Sequence, residues 1–253
     1  MDASPLWRQA ATIALGLSAG AVLAGCQQQN EEKRRPADVR DFPVADRPVS
    51  SVSDDFSSEV KRDSFHEATT VMDLARIEPG MTVADIGAGA GYYTVRLSPR
   101  VGRKGRVLAE DIEPDVIRDL GLRIERERLE NVSIRLGAPE DPKLPDNSFD
   151  RIFLVHMYHE VTEPYAFAWH LRPALRPGGR VIVVETDRAT DRHGIPPALL
   201  FCEMGSVGFR LTEFVRKPEL QGYYAQFEVA GPRPEPSQIK PCRLSGTAQA
   251  VTS

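Results

Sequence analysis

The chain has 253 residues, of which 41% are hydrophobic, and it carries a formal net charge of −4. This size and apolar content suit one soluble α/β domain with tails. The mildly acidic balance argues against nucleic acid as a partner, because phosphate binding requires clustered Lys and Arg side chains.

The N-terminus has the pattern of an export signal. Arg8 precedes an uncharged stretch, residues 9–25, which is rich in Ala, Leu and Gly and is followed by Cys26. A short apolar region that closes on small residues predicts a signal peptide over residues 1–25, and it is shorter than the ~20 residues of a membrane span. Residues 23–26, Leu-Ala-Gly-Cys, resemble a bacterial lipobox. The resemblance implies lipid attachment at Cys26, membrane anchoring in the cell envelope, and the outer membrane if the host is Gram-negative. An uncleaved apolar anchor is the alternative.

Residues 26–55 are rich in Gln, Glu, Arg and Pro. A segment with so few apolar positions cannot bury enough surface to fold. This composition predicts a flexible tether ahead of a folded domain over residues 56–230. Residues 231–253 contain several prolines and no periodicity, which predicts an extended C-terminal tail.

Two cysteines remain if Cys26 is lipidated. Cys202 and Cys242 could pair in an oxidising compartment, but the sequence does not show whether they lie close together. Cys202 stands in an apolar, helix-like run, which favours a buried free thiol there.

Strand and helix signals alternate along the predicted domain. Helices are predicted at Ser64–Ile77, Tyr92–Val101, Pro114–Leu129, Pro164–Leu175 and Pro196–Met204. Strands are predicted at Met81–Ile86, Arg106–Asp111, Val132–Leu136, Arg151–His156, Arg180–Glu185, Gly208–Phe214 and Tyr223–Val229. This alternation predicts an α/β, Rossmann-like, doubly wound and mainly parallel seven-stranded sheet. No helix separates the last two strands, so the final strand is expected to be antiparallel.

A glycine-rich loop follows the first predicted strand. Asp85 ends the apolar run, and Gly87, Gly89 and Gly91 follow at alternate positions ahead of a predicted helix. Glycine allows a tight turn and close approach of a ligand, and a helix N-terminus offers free N–H groups. The dinucleotide fingerprint would require its third glycine at Tyr92, which disfavours an NAD-dependent oxidoreductase.

The pattern D-x-G-x-G-x-G resembles motif I of class I S-adenosyl-L-methionine (SAM) dependent methyltransferases. The resemblance extends over roughly residues 60–230 and includes the turn Arg176-Pro177-Gly178-Gly179 before an apolar strand. It implies SAM as cofactor, with Gly87, Ala88, Gly89 and Gly91 around its methionine part and ribose. Asp85 would accept from the cofactor's ammonium group or order the loop.

Further cofactor contacts are implied at the ends of the next strands. The family places a ribose-binding carboxylate where Asp111 stands, with Ile112 beside it. Many relatives carry an adenine-binding Asp where this chain has Ala138, so the adenine contacts are in doubt. His156, at the end of the fourth strand, is close enough to the predicted site to contact the cofactor.

Catalytic candidates follow the fourth strand. His159 is predicted to be the general base, since a histidine suits removal of a proton from an acceptor O–H or N–H. Tyr158 and Glu160 are predicted to orient the acceptor. The spacing His156-x-x-His159-Glu160 matches neither H-E-x-x-H nor H-x-x-E-H, so no metal site is predicted.

These features favour a lipid-anchored SAM-dependent methyltransferase that acts on an unidentified small or lipid-like acceptor. Its oligomeric state cannot be read from the sequence. SAM is made in the cytosol, whereas a lipobox directs the chain outward. This conflict keeps open a non-catalytic envelope lipoprotein that uses a methyltransferase scaffold as a binding module.

Overall fold

The computed structural model of the chain describes residues 35–51 and 58–243. A seven-stranded sheet in the order β3-β2-β1-β4-β5-β7-β6 organises the domain. The strands are β1 Thr82–Ile86, β2 Arg106–Asp111, β3 Val132–Leu136, β4 Phe149–Val155, β5 Leu175–Glu185, β6 Phe209–Lys217 and β7 Gly222–Val229. Strands β1 to β5 pair in parallel, and β7 is antiparallel to both β5 and β6. The predicted fold class is confirmed.

The described residues contain six α-helices, of which the first two precede β1 and the other four lie between strands. They are α1 Glu59–Ser64, α2 Glu67–Leu74, α3 Thr94–Val101, α4 Pro114–Glu127, α5 Pro164–Ala174 and α6 Pro197–Ser206. The helix predicted at Ser64–Ile77 is wrong in outline: α1 ends at Ser64 and α2 begins at Glu67, because His66 between them adopts a left-handed backbone with φ of 58°. Among the described residues, no helix is long and apolar enough to cross a membrane.

The central strands carry the core. Val83, Ala84 and Ile86 of β1 are buried, as are residues 152–154 of β4 and 181–184 of β5. Strands that have helices on both faces appear in the sequence as continuous apolar runs. These runs are the reason that the central strands could be predicted from the sequence. The order of the strands reverses between β1 and β4, and ligands bind at such a switch point, outside the carboxyl ends of the strands.

The predicted flexible tether differs from the structure over residues 41–51, which pack onto the domain. Arg47 is buried, and its Nε donates to a carboxylate oxygen of Glu203 on α6 at 2.8 Å. Its other nitrogens donate to the carbonyls of residues 158, 159 and 161 at 3.0–3.4 Å. Composition counts apolar residues and could not reveal this buried, fully paired guanidinium. The boundary of the folded domain therefore lies before residue 56.

Residues 35–40 belong to a separate compact unit. Their described part is a single 3-10 turn, Ala37–Val39, in which the Arg35 guanidinium donates to the Val39 carbonyl at 3.1 Å. The predicted signal peptide and Cys26 lie outside the described residues.

The predicted extended tail is also packed over its described part, residues 231–243. Cys242 is buried and forms a disulfide with Cys202 of α6, with the two Cα atoms 6.0 Å apart. The backbone N–H of Cys242 donates to the Tyr165 hydroxyl at 2.6 Å, and the Trp169 indole donates to the Pro234 carbonyl at 2.8 Å. The expectation of a free Cys202 thiol is wrong, since a pairing across 40 residues leaves no local sequence signal.

The buried pair of Arg47 and Glu203 gives a stability prediction. Arg47→Met should lower the free energy of unfolding by about 3–5 kcal/mol, because it leaves the Glu203 carboxylate buried without its partner. The double variant Arg47→Met/Glu203→Leu should recover most of that loss. Urea unfolding followed by circular dichroism measures both changes.

Arg118→Met is the matched control. Arg118 pairs with Asp115 and Asp119 at the surface, where its side chain is 63% exposed. Such pairs contribute about 0–1 kcal/mol. An Arg47 variant no less stable than this control would contradict the structural role given to Arg47.

Candidate active site

The loop after β1 is shaped by its glycines. Gly89 has φ of 54°, and no atom outside its immediate chain neighbours lies within 4 Å of where its Cβ would stand. Gly91 has φ of 89°, and a Cβ there would come within 2.5 Å of Leu120 Cδ1 on α4. Left-handed backbone disfavours other residues at both positions. Gly89 therefore keeps space open for a ligand, while Gly91 allows α4 to pack closely.

Asp85 orders this loop from inside the protein. Its carboxylate is buried and accepts a 2.6 Å hydrogen bond from the Thr94 hydroxyl at the start of α3. Burial raises the pKa of Asp85 to about 6, although the bond from Thr94 opposes the rise. Asp85 therefore connects the end of β1 to the helix that follows the loop.

Two carboxyl groups stand at the end of β2. Asp111 accepts from the Gly89 N–H at 3.0 Å and from the Glu113 N–H at 3.1 Å. Glu110 is 2% exposed, and its Oε1 has no hydrogen-bond partner among the described residues. Burial and the neighbouring charge of Asp111 raise the pKa of Glu110 to about 8. The pair thus combines a carboxylate that orders the loop with a carboxyl group that is protonated at neutral pH.

The end of β4 contributes His156, which has φ of 55° and lies 3.6 Å from Glu67 of α2 through its Nε2. Glu67 also accepts from Arg62 at 2.6 Å and from the Tyr93 hydroxyl at 3.0 Å. Burial alone would raise the pKa of Glu67, but the bonds to His156 and Arg62 lower it to about 2. This network fixes His156 beside the glycine loop.

A cavity of about 1020 Å³ joins these elements. Its walls include Gly87, Ala88, Gly89, Glu110, Asp111, Ile112, Ala138, His156 and Glu160. Arg62 and Glu59 of α1 form a further wall, and Met157, Val161 and Phe167 add apolar surface at the end near Glu160. Pockets for small molecules combine such apolar walls with a few polar groups.

Known proteins resemble the chain across this region. Residues 84–183 match the family described as "Methyltransferase domain". A protein-L-isoaspartate O-methyltransferase from Methanothrix thermoacetophila is 28% identical over 148 residues, which cover 58% of this chain and 65% of that protein. A ubiquinone/menaquinone biosynthesis C-methyltransferase from Shewanella frigidimarina is 31% identical over 129 residues, which cover 48% of each chain.

Over residues 84–183 this chain is therefore similar to methyltransferase domains. SAM is the methyl donor that such a domain implies. The chain spans between about half and 65% of the length of these curated relatives. A SAM-dependent methyltransferase from Aquifex aeolicus superposes with a TM-score of 0.58 at 22% identity, covering 68% of this chain and 97% of that one. That likeness concerns the fold.

The fold brings most predicted cofactor residues to the cavity wall. Asp85 and Gly91 are the exceptions among them, and both support the loop from behind. Glu110 Oε1, which has no partner in the described part of the chain, and the open space at Gly89 fit a ligand that carries hydroxyl donors and lies against backbone, as SAM does. Alternation along the strand predicts that Glu110 points to the side opposite Asp111, but the structure places both residues on the cavity wall.

The predicted catalytic residues are only partly at the cavity. Glu160 lines it, whereas His159 and Tyr158 are fully buried and do not. His159 directs Nδ1 toward both carboxylate oxygens of Glu185, at 2.9 and 3.0 Å. Tyr158 lies against Arg47, with the guanidinium carbon 5.8 Å from its ring centre. Burial and the neighbouring Glu203 carboxylate raise the pKa of Tyr158 well above its usual value. Of the three predicted catalytic residues, Glu160 alone therefore lies on the cavity wall.

Glu110 gives a prediction about pH. Its pKa is raised from 4.5 to about 8 on folding, so the folded state holds a proton that the unfolded chain has lost. The stability that this proton provides is complete below pH 4.5 and is lost as the pH rises through about 8. Glu110→Gln cannot ionise. Its free energy of unfolding relative to wild type should therefore rise by roughly 2–5 kcal/mol as the pH increases from 4.5 to 9.

Urea unfolding at several pH values measures this difference. Glu113→Gln, an exposed acidic neighbour, is the control and should follow the wild-type profile. Parallel profiles for wild type and Glu110→Gln would show that Glu110 ionises normally in the folded protein.

Proposed function

We propose that this chain is a SAM-dependent methyltransferase that acts on a small or lipid-like acceptor. The observation that carries the proposal is one continuous cavity. It runs from the glycine loop and Asp111 to Glu160 and the apolar residues after β4. A transferase needs both partners in one enclosed space, because alignment of the reacting atoms supplies much of the rate.

The residues present fit the cofactor. The loop over residues 87–89 would face its methionine part and ribose, and Asp111 and Glu110 would face the ribose hydroxyls. Arg62, also on the wall, suits the cofactor's carboxylate by charge. When bound, SAM supplies an electrophilic methyl group on a sulfonium.

The acceptor end supports an apolar substrate class. Met157, Val161 and Phe167 form its apolar surface, and Glu160 supplies a polar group. The Shewanella frigidimarina relative is named for ubiquinone/menaquinone biosynthesis, which agrees with a lipid-like acceptor. The glycine loop and Asp111 on the cavity wall support SAM binding, so the alternative of a non-catalytic binding module is tested by methyl transfer.

Cofactor binding is the first test. Gly89→Val should abolish SAM binding, because a branched side chain would strain the backbone at φ of 54° and occupy the open space. Asp111→Ala should weaken binding by roughly 1–3 kcal/mol through loss of a hydrogen-bond acceptor. Isothermal titration of the full chain in detergent with SAM and S-adenosylhomocysteine measures both.

Gly178→Val is the matched control. Gly178 also has a positive φ, 82°, with no atom near its Cβ position, but it does not line the SAM cavity. Wild-type affinity in Gly89→Val and Asp111→Ala would overturn the cofactor assignment. SAM binding without methyl transfer to quinols, phenols, amines or lipid extracts would favour the binding module.

We also propose that the chain is exported and anchored through Cys26. The support is the sequence Leu23-Ala24-Gly25-Cys26 after an uncharged stretch, together with the disulfide between Cys202 and Cys242, because disulfides persist in oxidising compartments. Delivery to the outer membrane is favoured in a Gram-negative host, since Gln27 stands where a retention signal would have Asp.

Mass spectrometry of the native protein tests the anchor. The expected N-terminal peptide begins at Cys26 and carries diacylglycerol and an acyl group. Cys26→Ser should abolish lipid attachment and leave the N-terminal segment uncleaved. Recovery of an unmodified peptide that begins at Met1 would contradict export, and it would also remove the difficulty that SAM is made in the cytosol.

A further inference from the structure

Three side chains converge behind the acceptor end of the cavity. His159, Glu160 and His193 each offer one ligand atom, and these atoms lie within 4.8 Å of one another. His159 Nε2 is 3.8 Å from a carboxylate oxygen of Glu160, and the rings of His159 and His193 meet edge to face with centroids 5.6 Å apart. The sequence could not indicate this group, because His193 lies beyond the next strand.

Glu185 fixes the orientation of the His159 ring. Both side chains are fully buried, His159 in the turn after β4 and Glu185 at the end of the neighbouring strand β5. Nδ1 of His159 lies within 3.0 Å of both carboxylate oxygens of Glu185. A carboxylate in this position accepts from Nδ1, and in the neutral ring with that proton the lone pair is on Nε2, 3.8 Å from a carboxylate oxygen of Glu160. Histidines that bind metals are oriented in this way by a carboxylate behind them.

Two buried nitrogens of the cluster lack hydrogen bonds. Within the described part of the chain, neither His159 Nε2 nor His193 Nδ1 has a hydrogen-bond partner. Leaving a buried polar atom unsatisfied is costly, and a bound cation would satisfy such nitrogens. Two histidines with one carboxylate form a donor set typical of open zinc sites and of ferrous sites.

The loops that carry the cluster are held from outside it. Arg47 donates to the carbonyls of His159 and Val161. Ser50 donates to the Thr190 carbonyl at 2.5 Å and accepts from the His193 N–H at 3.0 Å. The segment over residues 41–51 therefore fixes both loops against the domain, which preorganises the three ligands.

We propose that His159, Glu160 and His193 bind one divalent transition-metal ion, and that this ion is Zn²⁺. Small side-chain rotations must bring the ligand atoms from their present spacing to bond lengths of about 2.0–2.2 Å. Glu160 also lines the cavity, so an open coordination position would face the acceptor space. That last point rests on the proposed methyltransferase function, whereas the metal site itself does not.

Metal binding is tested on the full, untagged chain in detergent, without SAM. Titration with Zn²⁺ in competition with a chelator should show one ion per chain, and Co²⁺ should give the visible absorption of a four- or five-coordinate complex. His193→Ala should weaken Zn²⁺ binding at least 100-fold. Glu185→Gln, which keeps the side-chain shape but alters the orienting contact, should weaken it by about 10–100-fold.

His170→Ala is the matched control. His170 is a partly buried histidine whose Nδ1 lies 3.1 Å from the Glu140 carbonyl, outside the cluster. Its loss should leave Zn²⁺ affinity unchanged, and far-UV circular dichroism confirms that each variant is folded. If wild type shows no saturable binding of Zn²⁺ or Co²⁺, or if His170→Ala and His193→Ala weaken it equally, the site is refuted.

Two further measurements separate the possible failures. Anaerobic titration with Fe²⁺ and with Mn²⁺ tests the choice of ion: preference for either over Zn²⁺ would overturn the identity given to the metal. A separate SAM titration, with and without Zn²⁺, tests the cofactor site. Zn²⁺ binding without SAM binding would refute the proposed function and support the metal site. SAM binding without Zn²⁺ binding would refute the metal site and support the proposed function.

Discussion

The buried guanidinium of Arg47 is the constraint on which the turn over residues 158–161 and its surroundings depend. A charge in the protein interior is tolerated only when it is paired and hydrogen-bonded. Arg47 meets that condition with one carboxylate of α6 and three carbonyls of the turn over residues 158–161. The turn over residues 158–161, helix α6 and the segment over residues 41–51 therefore have to adopt this arrangement together. The disulfide from Cys202 holds the same helix to the C-terminal segment.

The glycine loop and Asp111 are positioned by interactions of a different kind, between elements that are close in the chain or paired in the sheet. β1, its glycine loop and α3 are consecutive in the chain, and β2 ends beside the loop because the two strands pair in parallel. The contact between the Gly89 N–H and Asp111 follows directly from that pairing. Local sequence therefore defines most of this half: an apolar strand, a loop that needs positive φ, a helix N-terminus and an acid at the next strand end.

This difference explains what could be predicted. The strands, and the place of Gly89 and Asp111 at strand ends beside the cavity, could be predicted because each signal lies within a few positions of its own strand. The packed segment before residue 56 was missed because Arg47 and Glu203 are 156 positions apart, and composition does not reveal ion pairs. His159 was placed at the correct strand end, but its burial depends on Glu185, 26 positions away. A side chain's neighbours across the fold decide whether it reaches a cavity.

The two halves also differ in how they relate to other proteins. The matched methyltransferase region, residues 84–183, includes the glycine loop, Asp111 and the turn with His159 and Glu160. Arg47, Glu185, His193 and Glu203 all lie outside it, although they fix the orientation of that turn. The glycine loop and Asp111 thus lie within the matched region, whereas the turn over residues 158–161 is oriented by residues outside it. Alignment of the acceptor governs methyl transfer, so under the proposed function these contacts from outside the matched region would set the specificity for the acceptor.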